Sequence, residues 1–272
     1  MIPNFSSHWD QPSTEIQSNY LICSAPRTGS NLISFTLAQQ GLGVPLEYCN
    51  FINNPILIQF CARILNLPEN AGVSIKSMPE LVCFRKRYFE QVMNKRTTPN
   101  GVFGMKIFLH HFEFFFPNLY LSQLERLFPK PVKYIHLIRK DLYKMAVSFV
   151  FANKKQAWHS EFKKKEIEIA YDFNELLEAL KTLHFLQKHW STFLKGKSPE
   201  QIYTLTYSRL VDDFEDVVKE INVFLGFEDM SVPRPPIQSQ SSELKKEFAQ
   251  RFKNDCKQKA SWVEQIVKDQ MV

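Results

Sequence analysis

The sequence predicts an α/β fold, a single domain with a central parallel sheet flanked by helices. Three observations lead there. Four short apolar runs, at residues 20–23, 102–108, 132–138 and 202–206, alternate with stretches of helical spacing, as expected where helices cross over between parallel strands and cover both faces of their sheet. The first run enters its helix through a tight polar turn. At 272 residues, with 44% hydrophobic and 23% charged residues, the chain can bury one large core and is not of disordered composition.

Taken in order, residues 1–18 are polar and irregular and are expected to form an extended arm. Tyr20, Leu21, Ile22 and Cys23 make the first strand, Ser24 to Gly29 the turn, and Leu32, Ile33, Phe35 and Leu37 the following helix, which Gly41 stops. The turn Gly41-Leu-Gly-Val-Pro45 then delivers Glu47, Tyr48 and Phe51. Helices are expected at Ile56–Leu67 and Glu80–Lys95, and Arg96-Thr-Thr-Pro-Asn-Gly101 is a turn signal before the second strand. A further helix spans Leu119–Phe128, before Pro129 and Pro131. Val132–Ile138 is the third strand, with Arg139-Lys140-Asp141 at its end and a helix through Met145, Val147, Ser148 and Phe149. Asp172 opens a long helix with Leu176, Leu180, Leu183, Trp190 and Leu194 on one face. Ile202–Thr206 is the fourth strand, and Ser208 is a plausible cap for a helix ending at Gly226. A proline-rich linker and a charged amphipathic helix finish the chain.

Composition narrows the function. A net charge of +6 and a pI near 8.9 suit an anionic small molecule and do not demand nucleic acid. Five cysteines stand far apart with no C-x-x-C pair, which points to reduced thiols and a cytoplasmic setting. The N-terminus lacks a signal pattern, and His110, His111 and Glu113 interrupt the greasiest stretch, so no membrane span is expected. His110 and His111 are adjacent, His184 and His189 five apart, and H-E-x-x-H is absent; no metal site is expected.

The chemistry starts at the first turn. A strand feeding a helix through a tight loop leaves backbone N–H groups and the helix dipole facing the loop, which favours an anion. Thr28 and Ser30 add hydroxyls, and Arg27 adds a guanidinium fork. The Lys-Ser or Lys-Thr pair of a nucleoside-triphosphatase loop is missing, since Gly29 is followed by Ser30-Asn31. Ligands of parallel sheets sit beyond the carboxyl ends of the strands, so Arg27, Arg139 and the turn after Thr206 share one rim. Arg139 with Ser148 forms a second anion site there, unless Arg139 only balances Asp141.

These residues resemble the sulfotransferases that use 3′-phosphoadenosine-5′-phosphosulfate, most closely the bacterial trehalose 2-sulfotransferase-like family. The resemblance lies in Ser24-Ala-Pro-Arg-Thr-Gly-Ser-Asn31, Gly43-Val-Pro-Leu-Glu-Tyr48, Arg96 to Lys106, Tyr134-Ile-His-Leu-Ile-Arg139 and Ala146-Val-Ser-Phe149. It implies a P-loop-like nucleotide-binding sulfotransferase fold, with the sulfotransferase domain at 19–255 and a C-terminal helix end at 256–272. It also implies that Arg27, Thr28, Gly29, Ser30 and Asn31 hold the 5′-phosphosulfate, that Arg139 and Ser148 hold the 3′-phosphate, and that Tyr207 seats the adenine. Glu47 becomes the candidate general base, with His110 the second choice, and Trp158 falls where the family also carries a Trp. Arg27 and Lys106 are candidates for neutralising charge on the leaving oxygen. The alternatives are a strand-end lysine for Lys106 and a loop carboxylate paired to a nearby Arg for Glu47.

The expected reaction is sulfuryl transfer to a hydroxyl by in-line displacement, driven mostly by positioning and electrostatics without a metal, by analogy with phosphoryl transfer. A carbohydrate or glycolipid is the expected acceptor; a homodimer is an open possibility. Two rivals are a small-molecule kinase on a related fold and a nucleotide-binding protein with decayed catalysis. The sequence departs from the family at Ser239, where an Arg is expected; either Lys245 or Lys246 substitutes, or cofactor binding is weaker.

Overall fold

The computed structural model describes residues 3–52, 54–68, 78–116, 121–155, 168–237 and 242–269. Strands β1 (Ser18–Ser24), β2 (Val102–Ile107), β3 (Val132–Ile138) and β4 (Ile202–Thr206) form one sheet in the order β2-β1-β3-β4, parallel throughout. The helices before the third strand are α1 (Ser30–Gln39), α2 (Pro55–Ile64), α3 (Met78–Arg96) and α4 (Leu109–Phe115). After it come α5 (Leu142–Lys155), α6 (Phe173–Leu194), α7 (Tyr207–Asp212), α8 (Phe214–Leu225), α9 (Glu243–Lys259) and α10 (Val263–Asp269).

The strands are largely apolar because the sheet is covered on both faces. Leu21 and Cys23, with Phe103, Met105, Ile107 and Tyr134, enter a larger core shared with α2 to α6, α9 and α10. Their neighbours Tyr20 and Ile22, with Ile135, Leu137 and Leu205, enter a smaller one against α1, α7 and α8. Register brings the carboxyl ends level: Cys23 lies beside Ile107 and His136, and Ile138 beside Thr206. Residues 24–31, 106–111, 139 and 207 therefore gather on one edge of the sheet.

Several local expectations change. The helix expected at Leu119–Phe128 is a 3-10 segment, Leu121–Leu127; Leu121, Leu124 and Leu127 recur every three residues, which is the period of that helix. The aromatic run after β2 forms α4, which the sequence reading did not separate out; Leu109, Phe112 and Phe115 fall on its buried face. Thr206, not Ser208, caps the helix after β4, taking the Arg209 N–H at 3.4 Å, and a break at Asp213 divides that helix into α7 and α8. The N-terminal arm is docked: Asp10 pairs with Arg63 and Arg96, and Phe5 packs on Tyr48 and Phe60. No described helix is long and apolar enough to cross a membrane.

Candidate active site

The turn after β1 is shaped by two left-handed residues, Arg27 (φ 68°) and Gly29 (φ 89°). Gly29 caps α1, and a Cβ there would come within 2.9 Å of the Tyr207 ring, so this position needs glycine twice over. The buried Thr28 hydroxyl donates to the Ala25 carbonyl at 2.9 Å and closes the turn.

The two anion sites expected from the sequence are joined. Arg27 Nε donates to Ser148 Oγ at 3.0 Å, and an Arg139 Nη donates to the Arg27 carbonyl at 2.9 Å. Ser148 thus orients Arg27 in this structure. The Arg139 guanidinium lies over the Tyr207 ring, 4.3 Å from its centroid. Asp141 is in ion-pair contact with Lys144 at 3.0 Å and acts on Arg139 only from a distance, and Arg139 Nε is buried with no hydrogen-bond partner among the described residues. Burial, and then the charge of Arg139, pull the Arg27 pKa below its ordinary value, while Tyr207 acts the other way. Burial also lowers that of Arg139, against Tyr207 and Asp141. Two half-buried guanidiniums side by side make a strongly positive corner.

The second half of the site hangs on the loop after α1. Gly43 has φ 78°, and a Cβ there would meet the Gly104 nitrogen at 2.6 Å; glycine lets the loop run against β2. Lys106 N–H then donates to the Leu46 carbonyl at 3.1 Å, which sets Glu47 beside Lys106. The Lys106 ammonium, 2% exposed, pairs with Glu47 Oε1 at 2.8 Å and also donates to Asn31 Oδ1. Asn50 Nδ2 donates to Glu47 Oε2 at 2.9 Å. Glu47 is thus paired with a lysine, and Lys106 is buried rather than held in water.

His111 stands beside Glu47: its Nδ1 is 3.6 Å from Glu47 Oε2. The rings of His110 and His111 lie 4.1 Å apart, because both sit in the first turn of α4 beside Phe108. Burial pushes His111 down to about 4, with Glu47 opposing and His110 and Lys106 adding to the fall. His110 is lowered by burial against the pull of Glu47. Both rings are neutral near pH 7. Among the described residues no group of three or more His, Cys, Asp or Glu is placed to hold a metal.

Sequence reasoning missed Asn50, His111, Gln187 and Trp190. Gln187 Oε1 accepts the Arg139 N–H at 2.7 Å and its Nε2 donates to the Arg139 carbonyl at 3.2 Å, while Trp190 Nε1 donates to the Ser24 carbonyl at 3.1 Å. The signal for Gln187 was a polar residue on the apolar face of α6. Trp158 and Ser239 lie outside the described residues. Of the proposed substitutes for an Arg at 239, Lys246 pairs with Glu243 at 2.7 Å and Lys245 lies over the Phe151 ring of α5. An open cavity between Lys130, Val132, Lys197 and Gln201 is at the opposite edge of the sheet, where Lys197 is already paired with Glu125 at 3.1 Å.

A parallel sheet with a tight turn and two arginines at its carboxyl edge, beside a buried lysine–carboxylate pair, is an α/β architecture suited to group transfer. Residues 19–255 match the Stf0 sulphotransferase family, and the chain belongs to it; it is a sulfotransferase. It is 21% identical over 257 residues to the trehalose 2-sulfotransferase of Mycolicibacterium smegmatis, covering 87% of this chain and 95% of that protein. Among solved structures it is similar to a sulfotransferase from Alicyclobacillus acidocaldarius (14% identity, 91% of this chain and 96% of that chain, TM-score 0.44). It is also similar to the sulfotransferase domain of the Synechococcus PCC 7002 olefin synthase (15% identity, 90% and 98%, TM-score 0.47).

Proposed function

We propose that the protein transfers a sulfuryl group from 3′-phosphoadenosine-5′-phosphosulfate to a hydroxyl of a carbohydrate or glycolipid by in-line displacement, with Glu47 as general base. One observation carries this reading. A buried Lys106 ammonium touches Asn31 of the anion loop and the Glu47 carboxylate at once, so the anion-binding and proton-accepting groups meet at one point.

The residues fit a doubly anionic donor. Two adjacent guanidiniums beside the start of α1 are features of an anion site. When bound, the donor supplies a sulfuryl group joined through an oxygen to a stable leaving phosphate. Arg27 and the backbone of Thr28, Gly29, Ser30 and Asn31 grip its 5′ end at the start of α1. Arg139, together with Ser148, takes the 3′-phosphate, and Tyr207 backs Arg139 and seats the adenine.

Glu47 accepts the proton of the attacking hydroxyl as the new oxygen–sulfur bond forms and the bond to the leaving phosphate breaks. Lys106 neutralises the charge that builds on the departing oxygen, where a fixed ammonium needs no reorganisation. Asn50 holds the second Glu47 oxygen in place, and His110 and Trp158 serve the acceptor. The trehalose named for the mycobacterial relative supports a carbohydrate acceptor. We assign the chemistry to residues 19–255 and place it in the cytoplasm, a setting that the five free thiols suit.

Glu47→Gln tests the assignment. Turnover with a panel of hydroxylated acceptors should fall about a hundred- to ten-thousandfold, while calorimetric affinity for 3′,5′-diphosphoadenosine holds. Unchanged turnover would move the base to His110. A magnesium-dependent response to ATP, with none to the diphosphoadenosine, would favour the kinase instead.

A further inference from the structure

We infer that Gln187 is a positioning residue for the anion site: from α6 it fixes the backbone of Arg139, and so aims the guanidinium. The inference rests on the donor reading above. β3 is paired with β1 up to Leu137 and with β4 up to Ile138. Arg139 is the first residue beyond both ladders, and its peptide groups have no strand beside them. The Gln187 amide takes that place, accepting from Arg139 N–H at 2.7 Å and donating to Arg139 C=O at 3.2 Å. A carboxamide presents one acceptor and one donor in the spacing of a peptide, so it continues the ladder for one residue.

The surroundings favour precision over adaptability. Gln187 is 2% exposed and α6 runs for 22 residues, so the amide is carried on a long, packed element. Three residues further on, on the same face, Trp190 is fully buried and donates to the Ser24 carbonyl at 3.1 Å. One face of α6 thereby holds the exits of both β1 and β3, the two strands that launch Arg27 and Arg139. Those exits must be held in register for the Arg139 side chain to reach the Arg27 carbonyl at 2.9 Å and lie over Tyr207.

The test is a double-mutant cycle with 3′,5′-diphosphoadenosine as probe, read by calorimetry, with melting temperature followed in parallel. Gln187→Met keeps length and burial without the hydrogen bonds; Gln187→Leu is the second variant if the first folds poorly. Loss of the pair should weaken binding about tenfold. In an Arg139→Ala background the same change should add almost nothing to the affinity loss, while the cost in melting temperature persists. A merely structural Gln187 would lower the melting temperature and leave affinity unchanged, or weaken it equally in both backgrounds; either result overturns the inference while the donor reading stands. If Arg139→Ala itself leaves affinity unchanged, the donor reading fails and the inference falls with it.

Discussion

The molecule holds two clusters of sheltered arginines, and they are answered differently. Under the N-terminal arm, Arg96 is fully buried yet surrounded: Asp10 lies 3.0 Å away, the Asn4 and Ser6 carbonyls accept from it at 3.1 and 3.2 Å, and the Phe60 ring sits 4.7 Å beneath. At the carboxyl edge of the sheet, Arg139 meets Arg27, Tyr207 and a backbone carbonyl, and among the described residues no carboxylate is in ion-pair contact with it. A charge cannot be held away from water without compensation. Arg96 is held by a carboxylate of its own chain, as part of the fold; Arg139 is held by a backbone carbonyl and a ring, and the proposed phosphate would add the charge that Asp10 gives Arg96.

Breaking the answered cluster should have the largest effect. Arg96→Ala leaves Asp10 short of one partner and opens a cavity beside Phe60, and it should cost about 3–5 kcal/mol of stability, seen as a fall in the denaturant midpoint. Affinity for 3′,5′-diphosphoadenosine, measured below the transition, should be unchanged. An affinity loss larger than the stability loss would erase the distinction between the two clusters.

The cluster at the carboxyl edge should respond the other way round. Removing one of two neighbouring positive charges relieves repulsion, so Arg139→Ala should move the melting temperature by only a few degrees, roughly the equivalent of 1 kcal/mol or less. The same change should weaken the diphosphoadenosine about ten- to a hundredfold, and the loss should shrink as salt is added. A variant that unfolds like Arg96→Ala while binding normally would make Arg139 a second structural arginine.

How far this contrast was legible in the sequence depends on what each residue's environment owes to its neighbours in the chain. β3 and β4 lie at Val132–Ile138 and Ile202–Thr206, where the apolar runs put them: β3 is covered on both faces and reads as a near-continuous run, and β4, at the edge of the sheet, still carries Ile202, Tyr203 and Leu205. Arg27 stood out because a strand, a tight turn and a helix follow one another locally. Arg96 looked like one more turn residue, since its partner Asp10 is 86 residues away and only the docking of the arm brings them together. α4 was hidden by its length and composition: seven residues, rich in Phe and following directly on the apolar run of β2, leave little room for a helical period to show. Gln187 left a faint mark: it interrupts the stripe of Leu183 and Trp190, and a polar residue on an apolar face asks for a partner that only the fold can name.

A third buried base sharpens the comparison, with the smallest effect. Arginine cannot shed its proton and must be answered; histidine can. His136 sits in mid-sheet between Cys23 and Thr204, 4% exposed, with Nε2 unpartnered among the described residues, and burial pushes its pKa from 6.5 down to about 4. As pH falls below 6.5 the unfolded chain therefore takes up this proton first, and stability drops until about pH 4, where the folded protein binds it as well. Between pH 6.5 and 5.5 the His136 share of the loss should be about 1 kcal/mol, measurable as the difference in slope between the native protein and His136→Leu. His111, also near 4, contributes to both slopes and cancels in that difference. Equal slopes would mean that His136 has found a partner and belongs with Arg96, among the bases that the fold itself answers.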